Sequence, residues 1–331
     1  MPSSPEPRSI LFINVSRIGD TLLATPALRA LARAWPAARL DFLGHPARVE
    51  VIAHLPFVAS AEPITKHRAK LRGWLGAKAY DLAVVCGFDK ALVAYALRAA
   101  KRVVAFRQDD PALDRRLSPA MEPPAFQSMH SAEMALVLTR ALGVPDAGLR
   151  LAYAVTEDEK ARARATLKGA TRPLIGLQVA SFPTKGYRDW PLAHFAELCS
   201  RIAARWPQAH FLLFGGEADR ARTAELAAGL SGRVSDFAGR LTLRETAALM
   251  AEVDLYVGVD TGPTHIMGAL DAPMVALYHC YSPSRLLKPL ERAQVYVVDH
   301  PRGEGCGTET PMAEISVDAV WARVVEALGA P

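Results

Sequence analysis

The chain has 331 residues, 50% of them hydrophobic and 22% charged, which excludes a disordered polymer and, at this length, suits about two domains of ordinary size. Its net charge of +5 is unevenly placed: residues 1–150 carry 20 Lys and Arg against 13 Asp and Glu, a net of +7, and residues 151–331 carry 19 against 21, a net of −2. No run of about 18 or more apolar residues appears, so no transmembrane helix is expected, and Cys86, Cys199, Cys280 and Cys306 lie far apart with no Cys-x-x-Cys pair, which points away from a zinc site or disulfide framework and towards a reducing, cytoplasmic setting.

Residues 1–8, MPSSPEPR, are polar and Pro-rich and read as a flexible tail; the apolar run behind them is too short for a signal peptide. That run, ILFINV (10–15), predicts a strand, and SRIGDTLLATPALRAL follows it. Gly19 permits a tight turn, and Asp20 falls at the start of a helix whose Leu22, Leu23, Leu28 and Leu31 share one face. Two readings of Asp20 stand at this point. A carboxylate at a helix start is stabilised as a cap; it could equally be a general base taking a proton from a substrate hydroxyl. Arg17, Gly19 and Thr21 flank it as candidates on the same side.

Further strands are predicted at LDFLG (40–44), DLAVVCG (81–87) and RVVAF (102–106), with helices centred near residues 27, 94 and 135. This βαβ rhythm predicts a parallel sheet covered on both faces. A Pro-rich passage at 109–127 interrupts it and reads as a mobile loop at a working face. The rhythm resumes at LIGLQVA (174–180), HFLLFG (210–215), RVSDF (233–237), DLYVGV (254–259), MVALY (274–278) and QVYVV (294–298). SVDAVWARVVEAL (316–328) closes the chain as an amphipathic helix begun by a Ser cap. The organisation expected is therefore an α/β pair of Rossmann-like domains, residues 9–150 and 173–315. A linker region at 151–172 joins them, and the helix at 316–331 is a candidate to pack back on the first domain.

Ligands of open α/β sheets sit beyond the carboxyl ends of the strands, so polar residues there carry most weight. In QVASFPTKGYRDWP (178–191), Ser181, Thr184, Lys185 and Arg188 precede a helix that Pro191 is suited to begin. Hydroxyls and cations in that setting can hold phosphate; the alternative is a solvated basic loop. In FGGEADR (214–220), Glu217 or Asp219 could bind ribose hydroxyls, or simply favour a helix start. In GVDTGPTHIMGAL (258–270), a strand runs into Asp260, then Thr261, Gly262, Pro263 and Thr264 open a helix whose free N–H groups suit a diphosphate. His265 is a ligand contact or a satisfied, half-buried histidine. There is no Gly-x-Gly-x-x-Gly after the first strand, no Walker loop and no metal-like cluster, so a dehydrogenase, an NTPase and a metal site are all disfavoured.

SRIGDTLLATPALRAL, SFPTKGYRDWP, FGGEAD and VDTGPTHIMGAL, in this order and spacing, resemble glycosyltransferase family 9, the ADP-heptose:lipopolysaccharide heptosyltransferases, over nearly the whole chain. The resemblance implies a GT-B fold, an acceptor-binding first domain and a nucleotide-sugar-binding second domain facing across a cleft. It implies Asp20 as catalytic base and Arg188 as the cation two residues before the Trp190-Pro191 pair. Ser181 would be a phosphate-contacting hydroxyl, Asp219 the ribose-binding acid, and Asp260 to Gly262, with His265, the donor turn. Many members carry several cysteines before a Met-x-x-Ile, here Met312 to Ile315, and only Cys306 stands there.

The activity expected is inverting transfer of heptose from ADP-heptose to the phosphorylated inner core of lipopolysaccharide, without a metal or other cofactor. Dipoles and cations would stabilise the leaving group. The basic first half would face an anionic inner-membrane surface, with the protein held peripherally on its cytoplasmic side. Two rivals stand beside this: a GT-B transferase of another nucleotide sugar or acceptor, and an inactive glycolipid-binding relative. Nucleic-acid binding rests on charge alone and is not expected.

Overall fold

The structure, a computed structural model, describes residues 6–71, 78–230, 233–303 and 305–329. Most of the tail expected at 1–8 lies outside them. The chain divides into two compact units, Met1–Ala154 and Val155–Pro331.

The first unit holds β1 (Ser9–Asn14), β2 (Arg39–Gly44), β3 (Ser60–Pro63), β4 (Tyr80–Cys86), β5 (Ala100–Phe106) and β6 (Ala120–Met121). They pair in the order β3-β2-β1-β4-β5-β6, every pair parallel. Strands covered by helices on both faces need near-continuous apolar sequence, and Ile10, Leu11, Phe12 and Ile13 of β1 are all buried. The strand order reverses between β1 and β4, which creates a crevice at their carboxyl ends. The edge strands β3 and β6 are absent from the sequence reading because SAEP and AM have no apolar pattern; pairing to β2 and β5 alone makes them strands. The passage at 109–127 is likewise not one loop. The Asp110 carboxylate accepts from the backbone N–H groups of Ala112 and Leu113 and starts the helix Pro111–Asp114, and β6 follows.

The second unit repeats the winding with β7 (Leu174–Gln178), β8 (His210–Phe214), β9 (Val234–Asp236), β10 (Leu255–Val259), β11 (Met274–Tyr278) and β12 (Val295–Asp299). Their order is β12-β11-β10-β7-β8-β9, all parallel, with the reversal between β7 and β10. Trp190, Phe195, Leu198 and Ile202 pack with Leu255, Val257 and Leu277 in one core. The closing helix Val317–Leu328, capped by Ser316, buries Val317, Val320 and Val324 in that same core. Its apolar face is thus covered by the second unit's own strands and helices, where the sequence reading offered the first domain.

The region expected as a linker contains the helix Glu157–Thr166, which belongs to the second unit. Thr156 and Glu159 form a reciprocal capping box, and Glu159 also pairs at 2.6 Å with Arg244 of the helix Leu243–Met250, both side chains 11% exposed. The Arg244 guanidinium holds the Glu159 carboxyl down at about 2 against burial, with help from the Thr156 N–H, where its ordinary value is 4.5. A depressed folded-state pKa contributes stability above the ordinary carboxyl range that is lost as pH falls towards the folded value. Urea midpoints of the wild type should therefore fall between about pH 4.5 and pH 2 more steeply than those of Glu159→Gln, and parallel curves would remove this role.

Cys280 and Cys306 form a disulfide, which corrects the reading of the cysteine spacing as pointing away from disulfides. Spacing of 26 residues gives no sign of it, but Cys280 follows β11 and Cys306 lies in the loop after the adjacent strand β12, which brings their Cα atoms to 5.9 Å. Closing a loop of that size restricts the unfolded chain, so Cys306→Ser should cost roughly 3 kcal/mol in denaturant unfolding under oxidising conditions. A thiol reductant should produce the same loss in the wild type and none in the variant.

Candidate functional site

At the first sheet's reversal, β1 runs through Ser16 and Arg17 into the short helix Ile18–Leu23. Arg17 occupies the cap position and no side chain caps the helix, so the cap reading of Asp20 does not hold. Asp20 lies in the first turn with its side chain exposed, and its carboxylate makes no hydrogen bond or ion pair among the described residues. Its backbone carbonyl is fixed instead, accepting from Asn14 Nδ2 at 3.2 Å. The neighbours build the turn. Thr21, 1% exposed, donates its hydroxyl to the Arg17 carbonyl at 2.8 Å, Gly19 is buried, and Arg48 donates to the Ser16 carbonyl at 3.2 Å. Arg17 and Asp20 thus extend charged groups from a rigid base.

At the second sheet's reversal, the turns after β7 and β10 stand side by side. After β7 the chain folds on itself: the Ser181 N–H donates to Asp189 Oδ1 at 2.7 Å and its hydroxyl donates to the Lys185 carbonyl at 2.7 Å. Lys185 is partly exposed and has no carboxylate partner among the described residues. Arg188 reaches across to the β10 turn. Its Nη1 lies 2.5 Å from Asp260 Oδ2 and donates to the Asp260 carbonyl at 3.2 Å, its Nη2 donates to Ser282 Oγ at 3.0 Å, and its Nε donates to Tyr187 Oη at 3.2 Å.

Asp260 is 1% exposed and has His265 Nε2 at 3.3 Å on its other oxygen. Burial alone would raise its carboxyl pKa, but His265 and Arg188 together outweigh burial and hold it below the usual range. Thr261 leads into the helix Gly262–Ala269 without capping it by its side chain, and Pro263 stands in the first turn. This helix start can receive an anion on backbone N–H groups. Thr264 and His265 are buried and turned to the fold: the Thr264 hydroxyl lies 2.5 Å from the Val259 carbonyl and 2.9 Å from Tyr256 Oη.

After β8, Asp219 Oδ2 accepts from the Gly216 N–H at 2.8 Å. A Cβ on Gly215 would stand 2.8 Å from Asp219 Cβ, which explains a glycine there. Partial burial raises the Asp219 carboxyl pKa and the negative charge of Asp189 adds to it, so the acids of the β7 and β8 turns are electrostatic neighbours. Glu217, the other candidate, is exposed and pairs with Arg220 at 2.9 Å.

The structure thus brings Ser181, Lys185, Arg188, Asp260, Thr261 and Gly262 together, and adds Tyr187 and Ser282. Ser282 follows β11, so the same strand-end rule reaches it, whereas Tyr187 had no signal of its own. His279 Nδ1 or Nε2, Cys280 Sγ and Cys306 Sγ lie within 4.8 Å of one another. In the bridged state both sulfurs are committed to each other, and His279 donates from Nε2 to the Thr310 carbonyl at 2.8 Å and accepts the Tyr281 N–H at 3.0 Å on Nδ1. No helix among the described residues is long and apolar enough to cross a membrane.

A profile of glycosyltransferase family 9 (heptosyltransferase) matches residues 68–313. Lipopolysaccharide heptosyltransferase 2 of Salmonella typhimurium is 28% identical over 298 residues, 83% of each chain. Among solved structures, the ADP-heptose lipopolysaccharide heptosyltransferase II of Escherichia coli matches with a TM-score of 0.82 and 23% identity, covering 97% of this chain and 98% of that one. The E. coli heptosyltransferase WaaC with ADP matches with a TM-score of 0.74 and 19% identity, covering 96% and 99%. At these identities the structural likeness is one of fold, and that fold is GT-B.

Proposed function

The chain belongs to glycosyltransferase family 9, and from that premise we propose that it transfers heptose from ADP-heptose to the inner core of lipopolysaccharide with inversion at the anomeric carbon. The observation that carries this is the meeting of a cation-bearing turn and an uncapped helix start at the β7/β10 reversal. A diphosphate received there would lie on the N–H groups at Gly262, with Lys185 beside it, and Asp219 would serve the ribose. In the transfer, the acceptor hydroxyl loses its proton to Asp20 as its oxygen bonds the anomeric carbon. The bond from that carbon to the β-phosphate oxygen breaks, and the electron pair departs with ADP.

Fixed dipoles and cations stabilise the charge that grows on ADP, so we propose transfer without a metal. Arg188 is matched to Asp260 and acts as part of the scaffold, which leaves Lys185 as the cation offered to phosphate. The surplus positive charge of the first unit suits a phosphorylated acceptor at the cytoplasmic face of the inner membrane. Release of ADP from ADP-heptose, measured with a panel of truncated lipopolysaccharide acceptors, tests the whole reading. Acceptor-dependent release supports it and identifies the acceptor. Binding of ADP-heptose without release points to a glycolipid-binding relative, and turnover of a different nucleotide sugar replaces the donor.

A further inference from the structure

Tyr187 has no part in the reaction as derived, yet it touches both cations of the β7/β10 site and the aromatic groups after β11. Its ring packs edge-on against His279 at 5.0 Å and Tyr281 at 6.1 Å between centroids. Two cations attend it: Lys185 Nζ lies 5.5 Å from the ring centroid, and Arg188 Cζ also lies at 5.5 Å. Its phenol oxygen accepts from Arg188 Nε at 3.2 Å. The ring is itself braced, because His279 is held at both nitrogens and the disulfide at Cys280 ties the same strand end to the loop at 306.

We propose that Tyr187 is a positioning residue: anchored by the Arg188 scaffold, its ring holds Lys185 as the cation offered to the diphosphate leaving group. A lysine side chain forfeits rotamer freedom when it is held still. An aromatic face that receives the ammonium before substrate arrives removes part of that cost from the transition state. For Arg188, the Oη contact fixes the third edge of a guanidinium whose other two nitrogens are set by Asp260 and Ser282. Burial would raise the phenol pKa, but the Arg188 guanidinium, a hydrogen bond with Ser282 and the Lys185 ammonium outweigh burial and lower it, as expected for a ring set among cations. The inference rests on the proposed function for its substrate, though not for its geometry.

The test compares Tyr187→Phe and Tyr187→Leu with the wild type in three measurements: ADP binding by calorimetry, kcat and KM in the transfer assay, and thermal unfolding. Tyr187→Phe keeps the aromatic face and loses the phenol's hydrogen bonds with Arg188 and Ser282, so kcat should fall by about 3- to 10-fold. Tyr187→Leu loses both and should fall by about 100-fold, with weaker ADP binding and little change in acceptor KM, because charge grows on the leaving group in the transition state. The graded loss and the partial rescue by Phe are what mere packing would not produce. Wild-type kcat and ADP affinity in Tyr187→Leu would overturn the proposal, as would a loss fully accounted for by a smaller folded fraction. If the wild type turns over no ADP-heptose while ADP binding still weakens in Tyr187→Leu, the proposed function fails and the positioning role stands.

Discussion

Asp20→Asn is expected to lower acceptor-dependent ADP release by about 100- to 10,000-fold, the span that a positioned general base contributes to a proton transfer. The amide has nearly the same shape as the carboxylate but cannot take the proton. Asp20 neither caps its helix nor pairs with another side chain among the described residues, so the substitution removes no contact that holds the first unit together. Its place is set by the backbone, through the Asn14 amide on its carbonyl and the Thr21 hydroxyl one residue on. Thermal unfolding should accordingly be unchanged. ADP affinity should also be unchanged, because the groups proposed to hold ADP belong to the second unit. Activity within a few-fold of the wild type would remove Asp20 from the chemistry, and a fall in the unfolding midpoint would show that it has a structural role.

Asp260→Ala should destabilise the second unit by about 3–5 kcal/mol, since removing one partner of a buried ion pair strands the other. The Arg188 side chain is only 18% exposed and its guanidinium would lose the carboxylate at 2.5 Å, while His265 would lose its partner at 3.3 Å. ADP binding should fail with it, because the turn into Gly262 depends on the same pair. Urea unfolding measures the first effect and calorimetry the second. A double variant with Arg188→Ala should be less destabilised than the sum of the two single variants, because it removes both charges of the Arg188–Asp260 pair together. Strict additivity would mean that the pair does not couple the two turns.

Both predictions start from residues that the sequence singles out, but in each case the structure changes the role. SRIGD was legible as a strand-to-helix junction, and Asp20 was placed there by the Leu spacing behind it. Which residue caps the helix depends on where its first turn closes, and the Thr21 N–H on the Arg17 carbonyl closes it one turn earlier than the leucines suggest. Arg188 and Asp260 were both read as ligand contacts. That they contact each other across 72 residues is invisible to spacing, because it depends on two parallel strands standing next to one another.

The sequence by itself determined the two parallel sheets and the polar turns at their strand ends. The central runs ILFI (10–13) and LYVGV (255–259) are nearly all apolar because both faces are buried, so their identity is written locally. Only the tertiary structure decided the edges, since β3 and β6 owe their conformation to the strands beside them. It likewise decided the Cys280–Cys306 bond, the Glu159–Arg244 pair that ties the presumed linker to the second unit, and the cluster around Tyr187. Each of these joins residues distant in the chain. Strand propensity and helical spacing act over a few neighbours, whereas such contacts exist only once the sheet order has placed their elements side by side.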